Sequence, residues 1–136
     1  MAYDGPMPSV TEETRGFFEA ARRKVLALHR CRKCRRWYWP ASACTACDNE
    51  PFLANMQWEE ASGKGEIFAF IVARRTFHPQ FQAPFVYGLV KTAEGPLIPC
   101  GIDVAPDEAR VGLAVEAHFV ELTPDYTVPR FRLVQG

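Results

Sequence analysis

Two C-x-x-C pairs are the feature that most constrains how this 136-residue chain can fold. Cys31 and Cys34 form the first pair, and after nine intervening residues Cys44 and Cys47 repeat the spacing. Two residues between cysteines let both sulfurs of a pair face one ion, and a short loop brings the two pairs into a tetrahedron. The spacing therefore predicts a four-cysteine metal site. Because four thiolates leave no open coordination position, such a site is structural rather than catalytic.

Zinc is the metal that we expect at this site. Disulfides and a rubredoxin-like iron are the alternatives, because four sulfur ligands alone do not select the metal. The N-terminal sequence MAYDGPMPSV has no basic segment before an apolar one, and no later run approaches the roughly 18 apolar residues of a membrane span. We therefore expect a soluble, cytoplasmic protein. Thiols stay reduced in the cytoplasm, which favours a metal over disulfides.

Charge is unevenly distributed along a chain whose formal net charge is zero. Residues 15–36 contain nine Lys or Arg against the single Glu19, whereas residues 37–136 contain seven basic and twelve acidic side chains. The cations next to the first cysteine pair can offset the net negative charge of a zinc ion with four thiolates. They are Arg30, Arg32, Lys33, Arg35 and Arg36. Further cations at residues 22–24 leave positive charge for an anionic ligand.

The first part of the chain has helical periodicity. A capping box at Ser9 and Glu12 precedes apolar residues at helical spacing, and together they predict one amphipathic helix over about residues 10–28. The apolar residues are Phe17, Phe18, Ala21, Val25 and Leu28. The polar side of this helix is either solvated or packed on another subunit. We expect the aromatic residues 37–39 to pack the cysteine-rich segment onto its neighbour.

The second half of the chain reads as five strands without intervening helices. They are GEIFAFIVAR, PFVYGLVK, PLIPCGIDV, which Pro99 interrupts, LAVEAHFVEL and VPRFRLV. In the fourth, Leu113, Val115 and Phe119 alternate with more polar residues, as in a strand with one buried face. Five such strands in about 70 residues predict a small antiparallel barrel, which removes its own edges.

This order of segments resembles a family of small acyl-CoA-associated proteins long catalogued as a domain of unknown function. The resemblance is carried by RCRKC, YWPASACTAC, SGKGEIFAF, FHPQFQAPFVYGLV and VPRFRLV. It implies a mainly β fold with a helical segment over residues 1–29, a rubredoxin-like zinc ribbon over 30–56 and a five-stranded OB-fold barrel over 57–136. The chain departs from the family at Arg35, where Gly is frequent, and at Thr45, where Pro is usual.

The resemblance also implies a function. Members of the family resemble non-catalytic subunits that bind thiolase-like, aldolase or hydratase-type enzymes of acyl-CoA and lipid metabolism in hetero-oligomers and complete or bridge the acyl-CoA site. The residues agree in one respect, because they form no catalytic constellation. His29, His78 and His118 are scattered, and Cys100 is the one candidate nucleophile. A lone strand cysteine is usually a core residue, and a small enzyme that uses Cys100 stays as an alternative.

The segment RRTFHPQFQAPF, residues 74–85, is the candidate surface for a partner enzyme and its CoA ester. Aromatic anchors dominate interface energies, and an arginine can pair with a CoA phosphate. The candidate residues are Arg74, Arg75, Phe77, His78, Phe81 and Phe85. The alternative is that the phenylalanines fold back and close one end of the barrel.

Nucleic-acid binding is the alternative function from another class, because ribbons and OB-folds both serve it. An OB-fold that binds single strands needs a cationic groove with aromatic platforms. The excess of acidic residues over 37–136 would repel phosphates, so the sequence disfavours this function.

Overall fold

The computed structural model describes residues 10–11, 14–39, 44, 56–76, 79 and 82–134. One helix and eight strands lie in these residues. They are α1 (Arg15–Arg22), β1 (Ala27–Cys31), β2 (Trp37–Tyr38), β3 (Met56–Glu60), β4 (Lys64–Ala73), β5 (Phe85–Thr92), β6 (Leu97–Asp103), β7 (Ala114–Thr123) and β8 (Tyr126–Leu133). In this part of the chain, no helix is long and apolar enough to span a bilayer.

The last five strands form a closed barrel in the order β4-β5-β6-β8-β7, which confirms the mainly β fold with its OB-fold barrel. Neighbouring strands are antiparallel except β6 and β8, which pair in parallel at Ile102 and Asp103. The interior is filled by buried side chains that alternate along the strands. They include Ile67, Val86, Val90, Ile98, Ile102, Val115 and Phe131.

Pro99 does not end the third barrel strand, because β6 continues through it. At Pro99 the strand pairs with Leu89 of β5, and β8 joins β6 only from Ile102 onward. A proline lacks a backbone N–H and is therefore tolerated where a strand has a side without a paired neighbour.

A three-stranded sheet precedes the barrel, in the order β2-β1-β3. Its central strand, β1, pairs with both neighbours, and His29 lies opposite both Tyr38 and Trp58. This sheet corrects two features of the sequence analysis. Residues 27 and 28 are strand rather than helix, and residues 56–60 form the strand β3, which the sequence analysis did not predict.

The helix is shorter than its periodicity predicts because a turn ends it after Arg22. Lys24 adopts a left-handed conformation, with φ of 61°. Its N–H donates to Ala21 O at 2.9 Å, and the N–H of Val25 donates to Ala20 O at 3.0 Å. These two hydrogen bonds form a Schellman motif, in which glycine is the usual residue at the left-handed position. The capping box at Ser9 and Glu12 lies outside the described residues.

Aromatic side chains join the helix to the three-stranded sheet. The Phe17 ring lies 5.5 Å from that of Trp39 and 6.1 Å from that of Trp58, between centroids. Trp37 and Trp39 pack against the main core, as expected, and Tyr38 packs against the cysteines instead. The Ala61 N–H donates to Leu26 O at 2.8 Å, which extends the pairing of β1 with β3 by one residue.

The division of the chain at residues 29 and 56 stays a prediction. The strand β3 spans the second of these boundaries and pairs with β1 rather than with a barrel strand. Three residues then separate β3 from β4.

Candidate metal centre

Three of the four predicted ligands come together at one end of the three-stranded sheet. Cys31 ends β1, Cys34 lies in the following turn, and Cys44 lies beyond β2. Their sulfur atoms all lie within 4.8 Å of one another, and Cys34 Sγ lies 3.5 Å from Cys44 Sγ. A tetrahedron with Zn–S bonds of about 2.3 Å separates neighbouring sulfurs by about 3.8 Å. The three thiols therefore fit a tetrahedral thiolate site and can hold a metal ion, while Cys47 lies outside the described residues.

The turn that carries the first pair is built from backbone hydrogen bonds. The Cys31 N–H donates to Arg36 O at 2.9 Å, and the Arg35 N–H donates to Cys31 O at 3.0 Å. Arg35 is left-handed, with φ of 64°. This is the position at which the sequence departs from the glycine frequent in the family, so the arginine adopts a backbone conformation that glycine adopts without strain.

The surroundings of the sulfurs are partly buried. Cys31 and Cys44 are buried with Met56, and Cys34 is exposed. The Tyr38 hydroxyl lies 3.2 Å from Cys44 Sγ. Such outer contacts orient metal ligands and are part of the design of a metal site.

Two of the neighbouring arginines bind a carboxylate that the sequence analysis did not single out. Arg30 and Arg35 lie 3.1 and 3.0 Å from Glu59 Oε1, and the Arg30 guanidinium also covers the Trp37 ring at 4.5 Å. Desolvation raises the pKa of Glu59, but hydrogen bonds from Gln57 and Arg30 and the two arginine charges outweigh it, so this pKa lies below 4.5. Part of the cationic cluster is therefore neutralised by Glu59 on β3.

The predicted partner segment is described only in part. Arg74 and Arg75 are exposed after β4, and Phe85 is half-buried at the start of β5. The Ala83 N–H donates to Thr76 Oγ1 at 2.9 Å across the segment. Phe77, His78 and Phe81 lie outside the described residues, and their roles stay predictions.

The candidate catalytic residues that the structure describes, His29, Cys100 and His118, lie on three different strands. His29 is buried with its ring stacked on Trp58 at 3.8 Å between centroids. Cys100 is buried in the barrel, and this burial raises the pKa of its thiol to about 12 despite the nearby Arg130 charge. A thiol that stays protonated is a poor nucleophile, and this argues against the alternative of an enzyme that uses Cys100.

His118 belongs to a polar cluster on the barrel surface that sequence reasoning missed. Its Nε2 lies 2.6 Å from Asp103 Oδ2, and Arg130 Nη2 donates to Asp103 Oδ1 at 2.7 Å. Desolvation raises the pKa of Asp103, but hydrogen bonds and charge from Arg130, and then from His118, outweigh it and lower this pKa below 3.8. The alternation of β7 and β8 puts His118 and Arg130 on the same face, and the parallel pairing of β6 with β8, which brings Asp103 to them, has no signal in the sequence.

The fold and the cysteine cluster define the class of this protein: a cysteine-rich ribbon-like sheet followed by an OB-fold barrel. Comparison with known proteins places the chain within that class. The family model described as ChsH2, C-terminal OB-fold domain, matches residues 58–120. A solved structure described as "Ltp2-ChsH2(DUF35) aldolase" is similar over 93% of this chain and 98% of that chain, with 30% sequence identity and a TM-score of 0.83. The chain therefore belongs to the DUF35 family of OB-fold proteins, the family of ChsH2.

Two further relatives extend the comparison. A protein named "Probable enoyl-CoA hydratase alpha subunit" from Thermomonospora curvata is 32% identical over 130 residues, which cover 93% of this chain and 39% of that protein. The chain thus spans about two fifths of the length of this curated relative. A DUF35-family protein from Sulfolobus solfataricus shares the fold at 15% identity and a TM-score of 0.61, over 92% of this chain and 87% of that one.

Proposed function

We propose that this chain is a non-catalytic accessory subunit that binds an aldolase, thiolase-like or hydratase-type acyl-CoA enzyme and helps to form or bridge its acyl-CoA site. The proposal includes a hetero-oligomer in the cytoplasm, without a nucleic-acid or membrane partner. The observation that carries this proposal is the similarity, along almost the whole of both chains, to a chain of the solved structure described as "Ltp2-ChsH2(DUF35) aldolase".

The accessory role is supported by the placement of the groups that could do chemistry. His29 is stacked in the core, Cys100 is a buried thiol with a raised pKa, and His118 is bonded to Asp103. Among the described residues, no hydrogen bond joins the Cys100 thiol to His29 or to His118. Catalysis by a nucleophile and its base requires that they lie within hydrogen-bonding reach, so an active site supplied by a partner suits this chain better.

We infer that the cysteine cluster binds zinc and stabilises the sheet that joins α1 to the barrel. Cys31, Cys34, Cys44 and Cys47 would be the ligands, and the ion would supply folding energy rather than chemistry. In the same sheet, Trp58 packs against the helix and Met56 packs against the cysteines. Loss of the ion is therefore expected to loosen the helix as well as the cysteine-bearing turn.

The candidate partner and CoA residues belong to this proposal. Arg74 and Arg75 are exposed where a phosphate can reach them. Phe85, at the start of β5, is half-buried, and Phe77, His78 and Phe81 complete the set from the sequence alone.

The structure gives less support to nucleic-acid binding than the combination of ribbon and OB-fold did in the sequence analysis. Binding of single strands needs cations and aromatic platforms on one groove. The exposed side chains of β5 and β6 include Tyr87, Leu97 and Pro99, and Lys91 is the one cation among the exposed residues of these two strands. These strands therefore offer few contacts to phosphates.

The proposed function is tested by co-expression with a defined partner. The aldolase, thiolase-like and hydratase subunits of acyl-CoA metabolism from the source organism are expressed one at a time with the tagged chain, and the complex is purified by affinity and size-exclusion chromatography. We expect one of them to form a stable complex whose activity on its acyl-CoA ester exceeds that of the enzyme subunit alone, while this chain alone has none. If no candidate binds, or if the chain alone turns over an acyl-CoA ester, the proposed function is wrong.

A further inference from the structure

The outer face of β4, β5 and β6 is apolar over most of its extent. Strand pairing places the outward residues in rows across the sheet. One row contains Ile71, Tyr87 and Gly101, and the next contains Ala69, Leu89 and Pro99. Ile71 is 64% exposed and Tyr87 is 44% exposed. Side chains of this size and exposure on adjacent strands form a continuous surface rather than scattered apolar residues.

A bulge in β4 enlarges this surface. The register with β5 shifts between Ile67 and Ala69, and Phe68, which lies at the shift, is 49% exposed. Bulges change the direction of a side chain and frequently lie at functional places in a sheet. We call Phe68, Ile71, Tyr87, Leu89, Leu97 and Pro99 the outer apolar face.

Charged groups border the outer apolar face, and one of them, Lys91, lies opposite its member Leu97. Glu66 and Lys91 lie opposite each other at one end. Next to Gly101, Asp103 of the same strand and Arg130 of the neighbouring strand β8 form an ion pair. An apolar centre with a polar rim is the anatomy of a protein–protein interface.

The composition of the outer apolar face selects its occupant. With no charged residue among its six members, it offers nothing to phosphates or to an acidic peptide, so a complementary surface must itself be apolar. The outward face of three strands over seven residues measures about 14 Å by about 23 Å, or about 300 Å². Two copies of the chain joined here would bury about 600 Å² in total, below the roughly 1,200 Å² at which stable interfaces begin.

We propose that the outer apolar face is the surface on which the acyl-CoA enzyme subunit docks, with its contact extending beyond the face to Phe85 and Arg74. This inference rests on the proposed function and adds the place of contact. The face reaches Phe85, which begins β5 and pairs with Ala73 at the end of β4. An enzyme subunit that covers these two residues as well as the face can reach the area of a stable complex.

The test places a charge in the face and a matched charge elsewhere. Ile71→Lys adds an ammonium group to the centre of the outer apolar face. Val134→Lys adds the same group at a residue that is 41% exposed and follows β8, a strand that pairs with β6 and β7. Because both side chains are exposed, both variants are expected to fold, which circular dichroism melting checks before binding is measured.

Affinity for the partner subunit that co-expression identifies is measured by calorimetry with the full chain. We expect Ile71→Lys to weaken binding at least tenfold and Val134→Lys to change it less than twofold. If the wild-type chain binds and Ile71→Lys binds equally well, the docking surface is wrong and the proposed function stands. If the wild-type chain binds no subunit, both fail. If it forms a dimer by ultracentrifugation that Ile71→Lys dissociates, the occupant is a second copy, which also overturns the inference.

Discussion

Gly16 lies so close to the indole ring of Trp58 that a methyl group in place of its hydrogen would overlap Cδ1 and Nε1 of that ring. Trp58 is on β3 and stacks on His29 of β1. The helix therefore packs on the three-stranded sheet through a position that has room for no side chain.

Gly16→Ala is expected to destabilise the protein by about 1 to 3 kcal/mol, the usual cost of overpacking. The sign of this change in stability is informative, because helix propensity alone favours alanine over glycine by about 1 kcal/mol. Urea unfolding followed by circular dichroism measures the change. Glu19→Ala, on the exposed side of α1, serves as control and is expected to stay within about 0.5 kcal/mol of the wild type. An unchanged or increased stability of Gly16→Ala would mean that Trp58 moves aside at little cost.

Lys24→Gly is expected to stabilise the protein by about 0.5 to 1 kcal/mol. Lys24 is exposed and occupies the left-handed position of the Schellman motif, where a side chain is strained and glycine is not. The same unfolding measurement checks it. Arg23→Gly is the matched control, since φ of Arg23 is −92° and glycine only adds freedom to the unfolded chain there. If both variants lose stability, the left-handed lysine carries no strain.

Purified protein is expected to contain about one zinc ion per chain by elemental analysis. Cys44→Ser should release the ion and lower the free energy of unfolding, because structural zinc binding is linked to folding. Cys100→Ser is the matched control. Cys100 lies in the barrel, so this variant should keep the metal even though it loses some core stability. A folded, reduced wild-type protein without bound metal would refute the metal site.

Asp103→Asn is expected to cost about 1 kcal/mol at neutral pH, where the Asp103 carboxylate binds Arg130 and His118. Folding lowers the pKa of Asp103, so the ionised form stabilises the folded state above the ordinary value of 3.8 and this contribution disappears as the pH falls through the lower, folded value. The stability difference between wild type and Asp103→Asn should therefore shrink below pH 3.8. Exposed Asp107→Asn is the control. A difference independent of pH would mean that the charge of Asp103 does not matter.

Phe81→Ala tests whether residues 74–85 belong to a docking surface. We expect it to leave zinc content and thermal stability nearly unchanged while weakening partner binding by at least about 1 kcal/mol. Calorimetric titration with the partner subunit and a melting curve measure the two effects. A loss of about 3 to 5 kcal/mol of fold stability, as for a buried phenylalanine, would instead assign the ring to the core.

The barrel was predictable because its strands carry their own signal. Along β5 and β6, buried residues such as Val86, Val90 and Ile98 alternate with exposed ones, and this pattern depends on neighbouring residues alone. The cysteine pairs were equally readable, since ligand spacing is a local property. The three sulfurs that the structure describes lie together as that spacing predicts.

The three-stranded sheet was not predictable from periodicity. Residues 26–29 form a continuous buried run, and periodicity cannot distinguish a buried strand of this length from part of a helix. Lys24 also hides the end of the helix, because glycine is the usual signal at that position. The Asp103 cluster depends on the parallel pairing of β6 with β8, which local sequence does not encode. The outer apolar face depends on the register of β4, β5 and β6 and on the bulge at Phe68.

All three tryptophans, Trp37, Trp39 and Trp58, lie in or next to the three-stranded sheet, and the barrel strands contain none. Intrinsic fluorescence therefore reports on one half of the molecule, while far-ultraviolet circular dichroism is dominated by the barrel. When the two signals are followed together during unfolding, coincident transitions mean that both halves melt as one cooperative unit. If the two transitions separate when the metal is chelated, the three-stranded sheet and the barrel unfold independently under that condition. The chain thus carries a spectroscopic reporter at the place where the ion acts.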